Sequence, residues 1–300
     1  MPRPNLGGRR SAVEGRVRRR RRQNQSEPAE PPMADEIDNP IGRFVRNIPV
    51  DDPFRYDDDW IHASDLVYKC MRMVALAGDM KVPVPTESNW QSMKLIHAMG
   101  HASAKYVEET VIKQTDKVFG FWKCLCGAHR IGPCTAAELV ADPCGECNHS
   151  PSIYDELTLT NEEYGIIGNC DLAFMENGWL IMTELKSISK KQFDDLTDAK
   201  PDHKLQALLY HWMAEQSGYR VHPALSVFYS CREWLIGNPF KEFVLPTENA
   251  DRRVQPMLRE AAAIKEWKEG GDIPERTLCN RPEDSRAKKC GMCTECFLRD

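Results

Sequence analysis

The segment DLAFMENGWLIMTELKS, residues 171–187, carries the strongest local structural signal in this chain. Two β-rich runs, 164–176 and 179–187, flank the dipeptide Asn177-Gly178. This dipeptide is typical of a type I′ turn, because both central positions of that turn take positive φ. The pattern predicts a β-hairpin, and the position of its turn fixes which side chains face each other.

Three charged side chains meet on one face of this hairpin. Pairing about the turn places Asp171 opposite Glu184, and Lys186 follows two residues later on the same face. Facing carboxylates repel each other unless a cation lies between them, and oxygen ligands suit Mg²⁺ or Mn²⁺. A lysine beside such an ion orients or deprotonates a water and stabilises charge on a phosphate. The alternative, a solvated face of charges, is disfavoured because the face also carries the apolar residues Ala173, Met175, Leu180 and Met182.

The spacing of Asp171, twelve residues and then Glu184-Leu185-Lys186 resembles the PD-(D/E)XK nuclease superfamily. Downstream, HKLQALLY at residues 203–210 is similar to the Q-x-x-x-Y helix of its RecB-like branch, which contains DNA exonucleases and helicase-associated nucleases. Cys170 stands where this family usually has a proline. The resemblance implies an α/β, restriction-endonuclease-like core with a central mixed sheet flanked by helices.

The same resemblance implies roles for the site residues. The metal ion would be held by Asp171, Glu184 and the carbonyl of Leu185. Lys186 would activate the water that attacks the phosphodiester. The residues that flank the active site would be Gln206 and Tyr210.

A helix predicted over residues 87–113 differs from the family at one position. RecB-like nucleases have G-x-x-x-H on this helix, with a metal-binding histidine followed four residues later by glutamate. Here Ala104 occupies the histidine position after Gly100, while Glu108 is retained. His101 lies on the same helical face. We therefore expect His101 or Glu108 to complete the metal site; an ordinary helix histidine and a weakened active site are the alternatives.

Cysteine pairs in segment 124–149 predict a zinc site. Cys124-x-Cys126 and Cys144-x-x-Cys147 have the spacing of a zinc ribbon, in which two tight turns supply four thiolates. The segment has little apolar periodicity, so it needs a metal ion to fold. A closed four-ligand site leaves no position for substrate, which indicates a structural or DNA-gripping role. Alternative ligands are Cys134, His129 and His149.

A second cysteine system would join the two ends of the globular part. The tail carries Cys290, Cys293 and Cys296. The segment SDLVYKCMR at residues 64–72 resembles the N-terminal cysteine segment of RecB-like nucleases with an iron–sulfur cluster, the CRISPR-associated and AddB-type enzymes. The resemblance implies that Cys70 binds a [4Fe–4S] cluster together with the three tail cysteines. The spacing leaves open a local second zinc site in the tail that uses Cys279.

Composition excludes several function classes. The 300 residues are 41% hydrophobic and 28% charged, which is ordinary globular usage. No apolar run approaches the roughly 20 residues of a membrane span, so we expect no membrane partner. No secretory signal is evident, so we expect a cytoplasmic protein whose 12 cysteines bind metal rather than form disulfides. The first 22 residues hold nine arginines and one glutamate, so the remaining chain carries the net negative charge.

The chain divides into five segments. Residues 1–55 predict a disordered tail, whose arginines are either solvated or bind nucleic acid. The other segments are 56–123 for the N-terminal helical part and first strand, 124–149 for the zinc insert, 150–270 for the catalytic core and 271–300 for the cysteine clasp. Besides the hairpin, the periodicity predicts helices over 63–76, 198–218 and 248–269 and strands over 117–123, 225–231 and 240–245.

These patterns predict a metal-dependent DNA exonuclease of recombination, repair or replication. DNA is the expected substrate, and a helicase or recombination and replication proteins are the expected partners. An acidic body contacts DNA through metal sites, local patches or the basic tail rather than through its general surface. The alternatives are a catalytically weak nucleic-acid-binding module with structural metal sites and a restriction-type endonuclease. No G-x-x-x-x-G-K-[ST] motif occurs, so the chain supplies no ATP motor of that type.

Overall fold

The computed structural model describes residues 60–77, 87–127, 130–141, 144–149, 152–233 and 235–299. The expected tail at 1–55 and the alternative zinc ligand His129 lie outside the described residues. The described part is a mixed α/β structure. No helix within it is long and apolar enough to cross a membrane.

Ten strands and seven α-helices make up the described structure. The strands are β1 Ile61–His62, β2 Phe119–Lys123, β3 Arg130–Thr135, β4 Ile153–Asp155, β5 Leu157–Asn161, β6 Ile166–Cys170, β7 Leu172–Glu176, β8 Trp179–Ile188, β9 Ala224–Cys231 and β10 Phe240–Pro246. The helices are α1 Ala63–Tyr68, α2 Met71–Ala77, α3 Glu87–Ile112, α4 Lys190–Asp195, α5 Pro201–Gln216, α6 Ala250–Lys268 and α7 Cys293–Leu298. Two 3₁₀ turns, Glu138–Ala141 and Ala287–Lys289, complete the list.

A four-stranded mixed sheet in the order β10-β9-β8-β7 carries the hairpin. β7 and β8 are antiparallel, β8 and β9 are parallel, and β9 and β10 are antiparallel. Parallel neighbours need a long crossover, and α4 and α5 provide it between β8 and β9. Pro201 occupies the first turn of α5, where its missing N–H costs no helix hydrogen bond.

The predicted hairpin is confirmed. Its cross-strand pairs run from Leu172 with Thr183 to Glu176 with Trp179. The loop residues Asn177 and Gly178 have φ of 52° and 76°, as a type I′ turn requires.

The β-rich run 164–176 is not one strand but two, because the chain bends at Asp171. β6 pairs with β1 and β5 in a three-stranded sheet, whereas β7 belongs to the sheet of β8. At the bend, the Asp171 side chain rather than its backbone accepts the Leu185 N–H. The ladder of β7 with β8 therefore ends at the pair Leu172 and Thr183, and the chain on the other side of Asp171 belongs to the second sheet.

Helix α5 lies in the middle of the main core. Leu208, Leu209 and Met213 on this helix have no exposed surface. It packs against α1 and α6, and against strands of both adjoining sheets. Because its buried face also carries Gln206 and Tyr210, the core fixes the position of these two polar residues.

Two predictions about the N-terminal half were incomplete. The helix expected over 63–76 breaks at Lys69–Cys70 into α1 and α2, so Cys70 lies at a helix junction. The segment 124–149 contains its own strand, β3, which joins β2 and β4 in a small sheet of order β3-β2-β4. The reason is local packing: Trp122 on β2 is 2% exposed and its Nε1 donates to the Cys134 carbonyl of β3 at 3.1 Å.

Candidate functional site

Asp171 and Glu184 come together at the end of the hairpin that lies away from its turn. Oδ2 of Asp171 accepts a hydrogen bond of 2.7 Å from the backbone N–H of Leu185. Glu184, in β8, is only 3% exposed. Its Oε1 lies 2.5 Å from Nζ of Lys186. The structure therefore brings together the three charged residues that the hairpin pattern places on one face.

The Q-x-x-x-Y residues lie at the same site. Oε1 of Gln206 accepts a 3.0 Å hydrogen bond from Nζ of Lys186, and its Nε2 donates to Oη of Tyr210 at 2.9 Å. The Tyr210 ring packs on Gly168 of β6, where an added Cβ would approach the ring to 2.5 Å. Lys186, Gln206 and Tyr210 thus form a continuous hydrogen-bonded chain that is anchored in the core.

Helix α3 brings Glu108 and His101 to the site. Glu108 is 6% exposed, and its Oε2 accepts a 3.1 Å hydrogen bond from Lys105. A contact of 2.6 Å between the hydroxyls of Ser103 and Ser230 holds α3 against β9. His101 is exposed, whereas Ala104 is half-buried and has no ligand atom. Glu108 is therefore the better placed of the two expected helix ligands.

Burial and mutual repulsion raise the pKa of the carboxyl groups. Burial, followed by the charge of Asp171, raises the pKa of Glu184 to about 8, although Lys186 opposes this shift. Burial raises the pKa of Asp171 to about 6, while Lys186 and the Leu185 N–H act to lower it. Carboxyl groups that resist ionisation side by side are typical of cation-binding and catalytic sites.

Glu156 is a site residue that the sequence did not indicate. It precedes β5, in which Leu157 pairs with Cys170 of β6, so that Glu156 and Asp171 are the next residues in register. Burial, followed by the charges of Asp171 and Glu108, raises the pKa of Glu156 to about 7. Its local sequence resembles any charged strand end, and only the β5–β6 pairing brings it to the site.

These residues fit a divalent metal ion. Oε2 of Glu184 is buried and has no hydrogen-bond partner within the described part of the chain. A buried carboxylate oxygen without a partner is costly, and a hard cation is a natural occupant for it. Asp171, Glu184 and the Leu185 carbonyl would hold such an ion. The charges of Glu108 and Glu156 act on this pair, although no three carboxylates of the described residues lie within 4.8 Å of one another.

We expect the metal-free protein to lose stability between about pH 5 and pH 8. The pKa of Glu184 rises from 4.5 to about 8 on folding, so the folded state binds a proton that the unfolded state releases in this range. The protonated Glu184 side chain contributes fully to stability below the pKa of the unfolded state, 4.5. This contribution is lost as the pH rises past the pKa of the folded state, about 8. Glu184→Gln should therefore flatten the dependence, by on the order of 1–3 kcal/mol. Melting temperatures at both pH values, in chelator, measure this effect.

The matched control for this experiment is Glu176→Gln. Glu176 is half-exposed and forms its ion pair with Lys117 at the protein surface. Its removal should leave the wild-type pH dependence intact. Added Mn²⁺ should restore stability at pH 8 in the wild type, but less in Glu184→Gln or Asp171→Asn. An unchanged Mn²⁺ affinity in both variants would place the metal elsewhere.

The four zinc-ribbon cysteines form one cluster. The Sγ atoms of Cys124, Cys126, Cys144 and Cys147 all lie within 4.8 Å of one another. Sγ–Sγ distances are 3.1 Å for Cys124 with Cys147 and 3.7 Å for Cys126 with Cys144. A tetrahedral ion with bonds of 2.3 Å needs edges of about 3.8 Å, so the cluster fits zinc.

Tight turns after each cysteine pair shape this cluster. Gly127 and Asn148 follow the pairs with φ of 74° and 57°. Backbone N–H groups of Cys147 and Glu146 donate to Cys144 and lower the pKa of its thiol to about 6, which favours the thiolate that binds metal. Among the described residues no other group of His, Cys, Asp or Glu ligand atoms meets the same distance. Cys134 and His149, the alternative ligands, are therefore outside the cluster.

Cys144→Ser should release about one metal ion per chain and loosen the small sheet around β3. The physical reason is that this segment has few buried residues besides the cluster itself. Cys134→Ser is the matched control and should retain the ion. Elemental analysis, together with hydrogen exchange of 130–135, measures both effects. Equal metal content in the two variants would contradict the four-cysteine assignment.

The remaining cysteines meet at the other end of the molecule. One cavity of about 200 Å³ is lined by Cys70, Cys279, Cys290, Cys293 and Cys296, together with Tyr68 and other residues. Arg72 binds the tail beside this cavity, since its guanidinium donates to the carbonyls of Pro274, Cys296 and Arg299 at 3.2, 3.1 and 3.2 Å. The structure thus brings Cys70 to the tail cysteines, and it places Cys279 with them.

No protein-family model and no curated protein matches the chain. Among solved structures, the chain is similar to the "Crystal structure of SSO0001", an archaeal protein, with 13% sequence identity and a TM-score of 0.37. The match covers 73% of this chain and 81% of that one. A similarity at this level carries nothing about function, so the function rests on the residues described above.

Proposed function

We propose that the chain is a metal-dependent DNA nuclease of the RecB-like branch of the PD-(D/E)XK superfamily, with a restriction-endonuclease-like core. The observation that carries the proposal is that the hairpin and the core helix α5 bring five polar residues to one site: Asp171, Glu184, Lys186, Gln206 and Tyr210. The mixed sheet with helix crossovers between β8 and β9 supports it. Here a core helix presents a buried glutamine to a half-buried lysine, an arrangement that suits a functional site.

The proposed chemistry is hydrolysis of a phosphodiester bond. A bound Mg²⁺ or Mn²⁺ supplies Lewis acidity and lowers the pKa of the attacking water. Asp171 and Glu184 hold the ion with the Leu185 carbonyl. Because one carboxylate oxygen of Asp171 accepts the Leu185 N–H, the orientation of this side chain is fixed before metal binds.

Lys186 acts as a donor rather than as a base. Burial acts to lower its pKa, but the charges of Glu184 and Asp171 outweigh burial and raise it above the usual value for lysine. The ammonium therefore keeps its proton, orients the attacking water and stabilises negative charge that develops on the phosphate. Gln206, held by Tyr210, aims the ammonium by accepting one of its hydrogens.

We also propose that the two groups of cysteines bind structural metal cofactors. The four-cysteine cluster holds zinc in the segment 124–149. The five-cysteine cavity holds a [4Fe–4S] cluster through Cys70, Cys290, Cys293 and Cys296. Two observations support an iron–sulfur cluster over a second zinc ion in the cavity. Cys70 lines the cavity, and the thiols there do not lie as close to one another as those of the four-cysteine cluster. Thiolates on four separate irons stand further apart than those on one ion.

Purified protein incubated with DNA tests the proposed function. The substrates are 5′- and 3′-end-labelled linear DNA and circular DNA, each single- and double-stranded, with Mg²⁺, Mn²⁺ or chelator. We expect metal-dependent release of short products from ends and little attack on circles. Cleavage of circles would favour a restriction-type endonuclease. DNA binding without cleavage in either metal would leave the nucleic-acid-binding module, and neither binding nor cleavage would reject DNA as the partner.

A further inference from the structure

The hydroxyl of Tyr68 contacts the hydrogen-bonded chain of Lys186, Gln206 and Tyr210. Tyr68 is the last residue of α1, and its Oη donates a 3.0 Å hydrogen bond to Oε1 of Gln206. The same oxygen accepts the 3.0 Å hydrogen bond from Nζ of Lys186. Nζ of Lys186 also lies 5.9 Å from the centroid of the Tyr68 ring. An amide oxygen has two lone pairs, so Tyr68 and Lys186 together fill the acceptor capacity of Gln206.

Tyr68 also lines the five-cysteine cavity. Its neighbours along the wall include Lys69 and Cys70, and the tail contributes the opposite side. A single residue therefore contacts both the cavity and the hydrogen-bonded chain of the active site. Within the described residues, no other side chain of that hydrogen-bonded chain lines the cavity.

The backbone between Tyr68 and Cys70 is a short junction between the helices α1 and α2. Lys69 Nζ lies 2.8 Å from Oδ1 of Asp65, and the Lys69 N–H donates to the Asp65 carbonyl at 3.0 Å. These bonds hold the end of α1. α2 begins at Met71, and the Cys70 carbonyl accepts the Val74 N–H of its first turn at 3.0 Å. Tyr68, Lys69 and Cys70 all line the cavity, so a group bound to Cys70 there acts directly on the junction that carries Tyr68.

We propose that Tyr68 is a positioning residue that makes the orientation of Lys186 depend on the occupancy of the five-cysteine cavity. The inference rests on the proposed function for its consequence, but the coupling itself concerns only this chain. When the cavity is filled, Cys70 is held to the tail and the Tyr68 hydroxyl is held on Gln206. When it is empty, the α1–α2 junction shifts and Gln206 loses one donor, so that its amide, then held by Tyr210 alone, aligns less tightly with Lys186.

The role is not one of core packing. The Tyr68 side chain is 46% exposed, so the ring contributes little buried area. Its ring meets His203 edge-on, with centroids 6.3 Å apart, and phenylalanine would preserve this contact. Tyr68→Phe therefore removes the hydroxyl and leaves the ring, which isolates the hydrogen bond.

Chemical labelling of Lys186 tests the coupling without any cleavage reaction. The protein is acetylated briefly with an amine-reactive ester in the absence of divalent metal, and peptides are quantified by mass spectrometry. Lys190, an exposed lysine paired with Asp194, is the internal reference. We expect Lys186 to label about 5-fold faster in Tyr68→Phe, the equivalent of one hydrogen bond. The control Tyr106→Phe changes an exposed tyrosine of α3 and should label as wild type.

Emptying the cavity should have the same effect. Cys70→Ala, and wild type stripped of its cavity metal by an iron chelator, should each label Lys186 faster by a similar factor. The stripped wild type covers the case in which Cys70→Ala does not fold. In Tyr68→Phe, stripping should add nothing, because the coupling residue is already lost. A rise on stripping that is equally large in Tyr68→Phe would overturn the role of Tyr68.

Kinetics separate this proposal from the proposed function. In Tyr68→Phe the single-turnover cleavage rate should fall about 5-fold with unchanged DNA affinity, and its iron content should match wild type. Labelling that responds as expected in a protein that cleaves no DNA would support the coupling and reject the nuclease. Labelling of Lys186 that responds to neither Tyr68→Phe nor stripping would reject the coupling, whatever the protein cleaves.

Discussion

Lys186→Ala should reduce the rate of DNA cleavage by about 10²–10⁴-fold. Among the described residues, the ammonium is the one cationic group that pairs with Glu184 and also reaches Gln206. Without it, no group orients the water or offsets charge on the phosphate. Single-turnover cleavage of end-labelled DNA at saturating Mn²⁺ measures this loss separately from metal affinity.

The matched control for Lys186→Ala is Lys190→Ala, which removes a lysine four residues later that pairs with Asp194 at the surface. Surface pairs contribute little, so both rate and stability should stay near wild type. Lys186→Ala should keep its fold, because the buried Glu184 that loses its partner can take up a proton. Undiminished turnover of Lys186→Ala in Mn²⁺ would reject the assignment of this lysine.

Much of the hairpin could be predicted from local sequence, because its signals are local. Asn177-Gly178 fixes the turn, the turn fixes the register, and the register brings Glu184 towards Asp171. The cluster of four zinc-type cysteines was equally accessible, since two short spacings carry it. In both cases short spacings identify the residues, although the two cysteine pairs themselves meet across 18 and 23 residues.

The parts that could not be predicted depend on contacts between distant segments. Glu156 reaches the site only through the pairing of β5 with β6. The bend at Asp171 is accompanied by a hydrogen bond to Leu185, 14 residues away, and neither glycine nor proline stands at residues 170–172 to mark it in the sequence. The hydroxyl of Tyr68 meets Gln206, 138 residues away, and no local signal distinguishes this tyrosine from a helix-surface residue.

Cys70→Ala should remove iron from the protein and loosen both ends of the described domain. Wild type prepared without oxygen should be brown and contain iron as well as about one zinc, because thiolate-to-iron charge transfer absorbs visible light and zinc is a closed-shell ion. The variant should lose the colour and keep the zinc of the 124–149 cluster. Since Cys70 and the tail cysteines enclose most of the described chain, we expect a stability loss of up to about 5 kcal/mol, the scale of a cross-link that closes a loop of more than 100 residues. Elemental analysis and thermal unfolding measure the two effects.

Cys279→Ala distinguishes the two possible ligand sets of the cavity. If Cys70 and the three cysteines 290, 293 and 296 bind the cluster, Cys279→Ala keeps iron and colour, although Cys279 lines the same cavity. If the tail binds zinc through Cys279, the outcome reverses: Cys70→Ala keeps its metal and Cys279→Ala loses it. Anaerobic reconstitution of each variant with iron and sulfide excludes simple oxidative loss. A colourless reconstituted wild type with two zinc ions would reject the iron–sulfur cluster. In that case Arg72 would still join α2 to the tail through its hydrogen bonds to three carbonyl groups.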